Sequence, residues 1–208
     1  MKKSIKTFLK HPTKDSSNRS ANPAVIRAST ILFNSMQELY SHEKKIKKHQ
    51  RVSHYSYGRY GSSTTIELEN ILKELEQAFH VFLTGTGFGG VALAIMSLCR
   101  PGDEILVSDN VYGPTKEISE KLLKEFSVTA KFYNPDTFED LKSKVSKKTK
   151  MILVENPGSN TFEFQDLSKI VALAKKKKIF TFLDNTWGTP LYLKPLKLGF
   201  DMSFSSAT

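Results

Sequence analysis

The chain is poor in the residues that would mark several common classes of protein. One cysteine, Cys99, stands among 208 residues, so no disulfide can form within the chain. That economy suits a reducing compartment such as the cytoplasm. Cys99 itself sits in an apolar helical stretch and reads as a small buried residue rather than a nucleophile. No apolar run approaches the ~20 residues needed to cross a bilayer. Met1-Lys2-Lys3-Ser4 carries positive charge with no apolar segment behind it, so a secretory leader is not expected. The histidines (His11, His42, His49, His54 and His80) are scattered, and no metal-ligand spacing joins them, so no metal site is expected. The chain also lacks a G-x-S-x-G elbow, an H-E-x-x-H helix and a G-x-x-x-x-G-K-[ST] phosphate loop.

Arginine is scarce as well. The net charge is +10, but lysine supplies 26 of the 31 basic residues. The runs Lys44–Lys48 and Lys175–Lys178 read as solvated helix faces. Without arginine forks for bidentate phosphate and base contacts, and without an RNA-recognition signature, the charge points to surface composition rather than to nucleic acid.

What is present is an ordered pattern. Hydrophobic residues make up 39% of the chain, enough for one well-buried core or a domain plus an arm. Residues 1–60 are rich in Ser, Asn, His and Tyr without regular periodicity, and read as an extended N-terminal arm. Residues 61–208 read as the folded domain. Thr64-Thr65-Ile66-Glu67 is a candidate capping box, with Leu68, Ile71, Leu72, Leu75 and Phe79 following at helical spacing. Apolar runs at Val81–Leu83, Glu104–Val107, Val128–Tyr133, Met151–Val154, Ile179–Leu183 and Met202–Ser205 are strand candidates. Helical patterns alternate with them near Val91–Leu98, Thr115–Phe126, Phe138–Val145 and Leu167–Lys176. Such alternation predicts an α/β fold, a parallel sheet with helices on both faces. In these sheets ligands bind beyond the carboxyl ends of the strands, where Asp109, Glu155 and Asp184 each follow an apolar run.

Four segments there carry candidate chemistry. Thr86-Gly87-Phe88-Gly89-Gly90 precedes an apolar helix, and glycines at a helix start let unpaired N–H groups approach an anion. Gly85–Gly90 also matches G-x-G-x-x-G, with Asp109 about twenty residues on, so a nicotinamide dinucleotide site is a competing reading. Asp184 emerges at a strand end, where a carboxylate can keep a ring nitrogen protonated and make the ring an electron sink. Tyr112, in the loop before a helix, is placed to stack on such a ring. Tyr57 and Arg59, two apart in the arm, would project to one side of an extended segment and together grip a phosphate.

Taken with Ser206-Ala207-Thr208, these segments resemble the Cys/Met-metabolism enzymes that depend on pyridoxal 5′-phosphate (PLP). The resemblance runs from about Asn22 to the last residue. It implies the fold type I (aspartate aminotransferase-like) major domain. It also implies that Gly87 and Phe88 amides and the Ser206 and Thr208 hydroxyls hold the cofactor phosphate, with Tyr112 stacked on the ring and Asp184 against its nitrogen. Tyr57 and Arg59 would reach the cofactor of a neighbouring subunit, in a dimer or tetramer. The lysine that carries the cofactor is expected just after Thr208, and the substrate-carboxylate arginine in a C-terminal part not included here. Glu155-Asn156-Pro157-Gly158-Ser159 and Trp187 resemble the β-eliminating branch. The implied activity is cleavage of L-cystathionine to homocysteine, pyruvate and ammonia in methionine biosynthesis, with a γ-acting relative as the close rival.

Overall fold

The computed structural model describes residues 23–47 and 56–207. The chain divides between Leu83 and Thr84 into two compact units. Thr208 lies outside the described residues, as do His11, His49 and His54.

Among its described residues, the first unit has two helices and a short tyrosine-rich turn. Helix α1 spans Met36–Lys47, inside the stretch that sequence periodicity leaves blank. Its start is a local device: the Glu38 carboxylate accepts the Asn34 N–H at 2.8 Å, and the Glu38 N–H donates to Ser35 Oγ at 3.2 Å. Ser35 and Glu38 satisfy donors that a helix start leaves unpaired. Helix α2 runs Ser63–Glu76 with Ser62 as its N-cap. The capping box therefore lies two residues before the expected one, because the Thr65 hydroxyl, not Glu67, takes the Ser62 N–H (2.8 Å). Gln77 ends the helix in the left-handed conformation, which leaves Phe79 beyond it and exposed.

Residues 81–83 are not a strand. Three residues have no ladder to join among the described residues, and Phe82 faces outward. The glycine-rich helix is thus not preceded by a paired strand, as a dinucleotide βαβ unit requires.

The second unit is a doubly wound sheet. Helix α3 (Gly87–Leu98) leads into strand β1 (Glu104–Ser108). Helix α4 (Gly113–Glu117) continues through a π turn (Ile118–Leu122) into α5 (Leu123–Glu125). Then come β2 (Thr129–Tyr133), α6 (Phe138–Lys144), β3 (Thr149–Glu155), α7 (Leu167–Lys177) and β4 (Phe180–Asp184). Short helices α8 (Thr189–Tyr192) and α9 (Pro195–Leu198) return the chain to β5 (Met202–Phe204). The strand order is β2-β1-β3-β4-β5, and each pairing is parallel.

Strand alternation sorts the core into two layers. Ile105, Val107, Met151, Leu153 and Phe182 face one side and pack with Val91 and Ile95 of α3 and with Ile118 and Leu123. Leu106, Ile152, Val154 and Leu183 face the other and pack with Leu141 of α6 and Ile170, Val171 and Ala174 of α7. Both faces being covered, the strands read as continuous apolar runs rather than alternating ones. The period-2 rule then fixes the site: residues 153 and 155, and 182 and 184, point to the α3 side. Close packing closes this layer. A Cβ added to Gly90 would meet the Phe204 ring at 2.7 Å and Thr84 Oγ1 at 3.0 Å.

Leu153 is fully buried at the centre of the sheet. Leu153→Ala should lower unfolding free energy by about 2–5 kcal/mol, measured by denaturant titration; a loss inside experimental error would contradict this packing.

Candidate active site

The sheet's topology chooses the place. From β1 the chain moves outward to β2 and then crosses to β3 on the other side, so a crevice opens beyond the carboxyl ends of β1 and β3. Four loops meet this edge, following β1, β3, β4 and β5.

Helix α3 supplies the anion end. Its N-cap Thr86 accepts the Gly89 N–H on its hydroxyl at 3.0 Å and the Gly90 N–H on its carbonyl at 3.1 Å. The amides of Gly87 and Phe88 have no acceptor among the described residues. They sit at the positive end of a twelve-residue helix, where unpaired N–H groups favour an anion. Ser206, from the loop after β5, stands against them: a Cβ on Gly87 would lie 3.1 Å from Ser206 Oγ. The structure therefore brings Ser206 close to Gly87, with Phe88 next along the helix start.

Asp184 supplies the opposite end. It is paired in register with Glu155 on β3 and is only 7% exposed. Thr186 donates to the same carboxylate oxygen twice, from N–H at 3.0 Å and from Oγ1 at 2.6 Å. The second oxygen has no partner among the described residues. Burial pushes the Asp184 carboxyl upward, opposed by the two Thr186 bonds. Thr186 also accepts the Ser206 N–H at 2.9 Å, so one threonine couples the acidic end to the anion end. This role of Thr186 was not visible from spacing alone, although Thr186 lies only two residues past the singled-out aspartate.

Glu155 is the other buried acid at this edge, and sequence reasoning gave it no role of its own. It is 4% exposed, and its Oε2 accepts the Tyr112 N–H at 2.6 Å. Its carboxyl is raised to about 7: burial pushes it up most, the Tyr112 amide opposes this, nearby Asp184 adds to it, and the Ser159 side chain lowers it. The available signal was its place as a strand-end acid beside Asp109 and Asp184. Asp109 plays a different part, pairing with Lys116 on the surface. Tyr112 occupies the N-cap position of α4 and is 54% exposed.

Tyr57 and Arg59 belong to the first unit. The segment is a 3₁₀ turn at Gly58–Tyr60 rather than an extended strand, because Gly58 donates to Ser29 O at 2.7 Å and has no room for a side chain. The turn still brings the pair together: the Arg59 guanidinium lies 5.4 Å from the Tyr57 ring centre and 5.5 Å from that of Tyr60. No group of His, Cys, Asp and Glu able to hold a metal occurs among the described residues, and no described helix is long and apolar enough to cross a membrane.

A doubly wound parallel sheet with helix-start amides facing a buried strand-end acid is the architecture of the fold type I PLP enzymes. The chain belongs to the Cys/Met metabolism PLP-dependent enzyme family, which it matches over residues 6–208. A cystathionine beta-lyase from Bordetella avium is 33% identical over 211 residues, covering 99% of this chain and 52% of that protein. An L-alanine/L-glutamate racemase from Wolbachia pipientis is 31% identical over 194 residues, covering 91% and 48%. Among solved structures, a Campylobacter jejuni protein holding N′-pyridoxyl-lysine-5′-monophosphate superposes with a TM-score of 0.85 at 24% identity, covering 98% of this chain and 50% of that one. The chain spans about half the length of the curated relatives it matches.

The raised Glu155 carboxyl gives a signed pH prediction. Below about 4.5 the group is protonated in both folded and unfolded protein. As pH rises toward about 7 the unfolded chain ionises first while the fold retains its proton, so stability falls across that window. Cofactor-free Glu155→Gln should therefore gain about 2–3 kcal/mol on the parent at pH 8 relative to pH 4, read from denaturation midpoints at both pH values. An unchanged difference would show that the group titrates normally.

Proposed function

We propose that this chain is the cofactor-binding part of a PLP-dependent carbon–sulfur lyase that splits L-cystathionine by β-elimination. The single observation that carries the reading is a buried strand-end carboxylate, held by Thr186 on one oxygen only, at the sheet edge where helix-start amides also lack an acceptor among the described residues. A buried negative group is costly unless paired, and the pyridinium nitrogen of PLP is a suitable cation. Glycine backbone at 87 and 90, where no side chain fits without displacement, keeps the helix start open to a phosphate. The residues fit the cofactor at both ends.

In this reading Asp184 holds a proton on the ring nitrogen, with Thr186 orienting its carboxylate. Gly87 and Phe88 amides and the Ser206 hydroxyl hold the phosphate, with Thr208 as a further donor. Tyr112 covers the ring and faces the substrate amine. Tyr57 and Arg59 complete the phosphate grip of a neighbouring copy, which makes the enzyme a homo-oligomer, dimer or tetramer. When bound, PLP supplies an electron sink for the pair left behind as the substrate's α-proton departs. Asp184 makes that sink deep by keeping the ring cationic, and a buried position strengthens the pairing over its value in water.

The names of the relatives support the β-lyase assignment, as does the Glu155–Ser159 segment followed by Trp187. The same reading makes the enzyme a cytoplasmic one of methionine biosynthesis. The test is an assay of full-length protein with L-cystathionine, separating pyruvate from 2-oxobutyrate. Pyruvate is expected; 2-oxobutyrate would assign γ-elimination instead. Asp184→Ala should lower kcat by about 100-fold or more and weaken PLP retention. Activity within a few-fold of the parent would remove the reading.

A further inference from the structure

We propose that Glu155 is a positioning residue: its carboxyl ties the backbone of Tyr112 to the strand pair that ends in Asp184, and so fixes where the Tyr112 ring sits. This rests on the reading that a PLP ring lies beside Asp184 and under Tyr112.

The ring of Tyr112 has no anchor of its own. Its phenol makes no hydrogen bond and its ring no aromatic contact among the described residues, and it is half exposed. Its place is set by its backbone. That backbone is held from β3 and the loop after it, at three points. Glu155 Oε2 takes the Tyr112 N–H at 2.6 Å. The Ser159 N–H donates to Asn110 O at 2.9 Å, and Asn110 Nδ2 donates to Glu163 Oε2 at 3.2 Å. Gly158 leaves room for the Asn110 side chain, which would lie 2.2 Å from an added Cβ. Of these ties, the one from Glu155 acts on Tyr112 itself and comes from a side chain paired in register with Asp184.

A glutamine would accept the same bond without burying an ionisable group, so a carboxyl here has a use beyond packing. Its neighbours are few: Asp184 from β4, the Tyr112 amide before α4, and the Ser159 hydroxyl after β3. Helix α3 on this face has no titratable side chain, and Asp109 and Lys116 pair with each other. An anionic Asp184 opposes ionisation of Glu155. A cation held by Asp184 relieves that opposition, and an ionised Glu155 grips an N–H about twice as strongly as a neutral acceptor does. Cofactor binding at one strand end is thereby coupled to the hold on Tyr112 at the next.

Hydrogen exchange of the Tyr112 amide in cofactor-free full-length protein, together with the circular dichroism of bound PLP, tests this. Glu155→Ala should speed exchange by about tenfold and collapse the dichroic band. Glu155→Gln, which keeps an acceptor oxygen, should restore both to within about threefold. Tyr112 protection, corrected for intrinsic exchange, should rise between pH 6 and 8 in the parent and stay flat in Glu155→Gln. Parental exchange and dichroism in Glu155→Ala would overturn the proposal. Identical pH dependence in parent and Glu155→Gln would overturn it too, and that comparison decides even if Glu155→Ala fails to fold. A parent that binds no PLP would instead remove the functional reading, while the exchange measurements would still judge the tie.

Discussion

Two buried carboxyls on adjacent parallel strands, Glu155 and Asp184, form the constraint around which this site is organised. Placing them side by side is unfavourable, since burial and mutual repulsion both oppose their charges. The sheet accepts this arrangement because its interior strands leave no alternative. β3 and β4 are locked by full apolar layers above and below, and the register sets 155 opposite 184. The unfavourable pair is a standing demand for a cation on the α3 side. The helix start across the crevice makes the complementary demand for an anion. A zwitterionic ligand of the right length answers both, and PLP, with its ring nitrogen and phosphate at opposite ends, is such a ligand.

Thr186 shows how few residues are needed to make the two ends one object. Its hydroxyl donates to Asp184 and accepts from the Ser206 amide. The strand-end acid and the loop after β5 are therefore tied to each other through one side chain. The Tyr112 loop is joined to the same frame through Glu155 and Asn110. The site is built from loops, but each loop is tied to a strand end, which gives it the precision that bare loops lack.

The alternation of apolar runs and helical patterns in residues 84–208 was legible because a doubly covered parallel sheet imposes it residue by residue. Asp184, Gly87, Phe88, Tyr112 and Ser206 could be singled out because each stands in a short motif of sequence neighbours, and the structure places Asp184 at a strand end and Gly87 near Ser206. Glu155 was visible as a strand-end acid, but its role depends on a backbone amide 43 positions away, and only the sheet brings those groups together. Helix α1 was legible only at its lysine-rich end, read as a solvated helix face, because it buries no side chain and so no apolar stripe marks the rest. Its Ser35 and Glu38 start was the signal to read. Val81–Leu83 misled for the opposite reason: it has strand-like residues, but a strand exists only by pairing. Nothing in local composition calls for the π turn at 118–122, where Ile118 and Ser119 are buried.

The contact between Gly87 and Ser206 has a thermodynamic side. The two residues lie at nearly opposite ends of the second unit's chain, yet the fold brings them together at one point, which the proposed reading makes the seat of the cofactor phosphate. A molecule that clasps both stitches the first helix of the unit to its last strand, and anything that binds only the folded form deepens that form's free-energy well. At a hundredfold excess over its dissociation constant such a ligand adds about 2.7 kcal/mol, a large share of what a domain this size possesses. The vitamin derivative would then be part of the scaffold as well as of the chemistry, and a cell short of it would hold a population that melts sooner and is cleared faster.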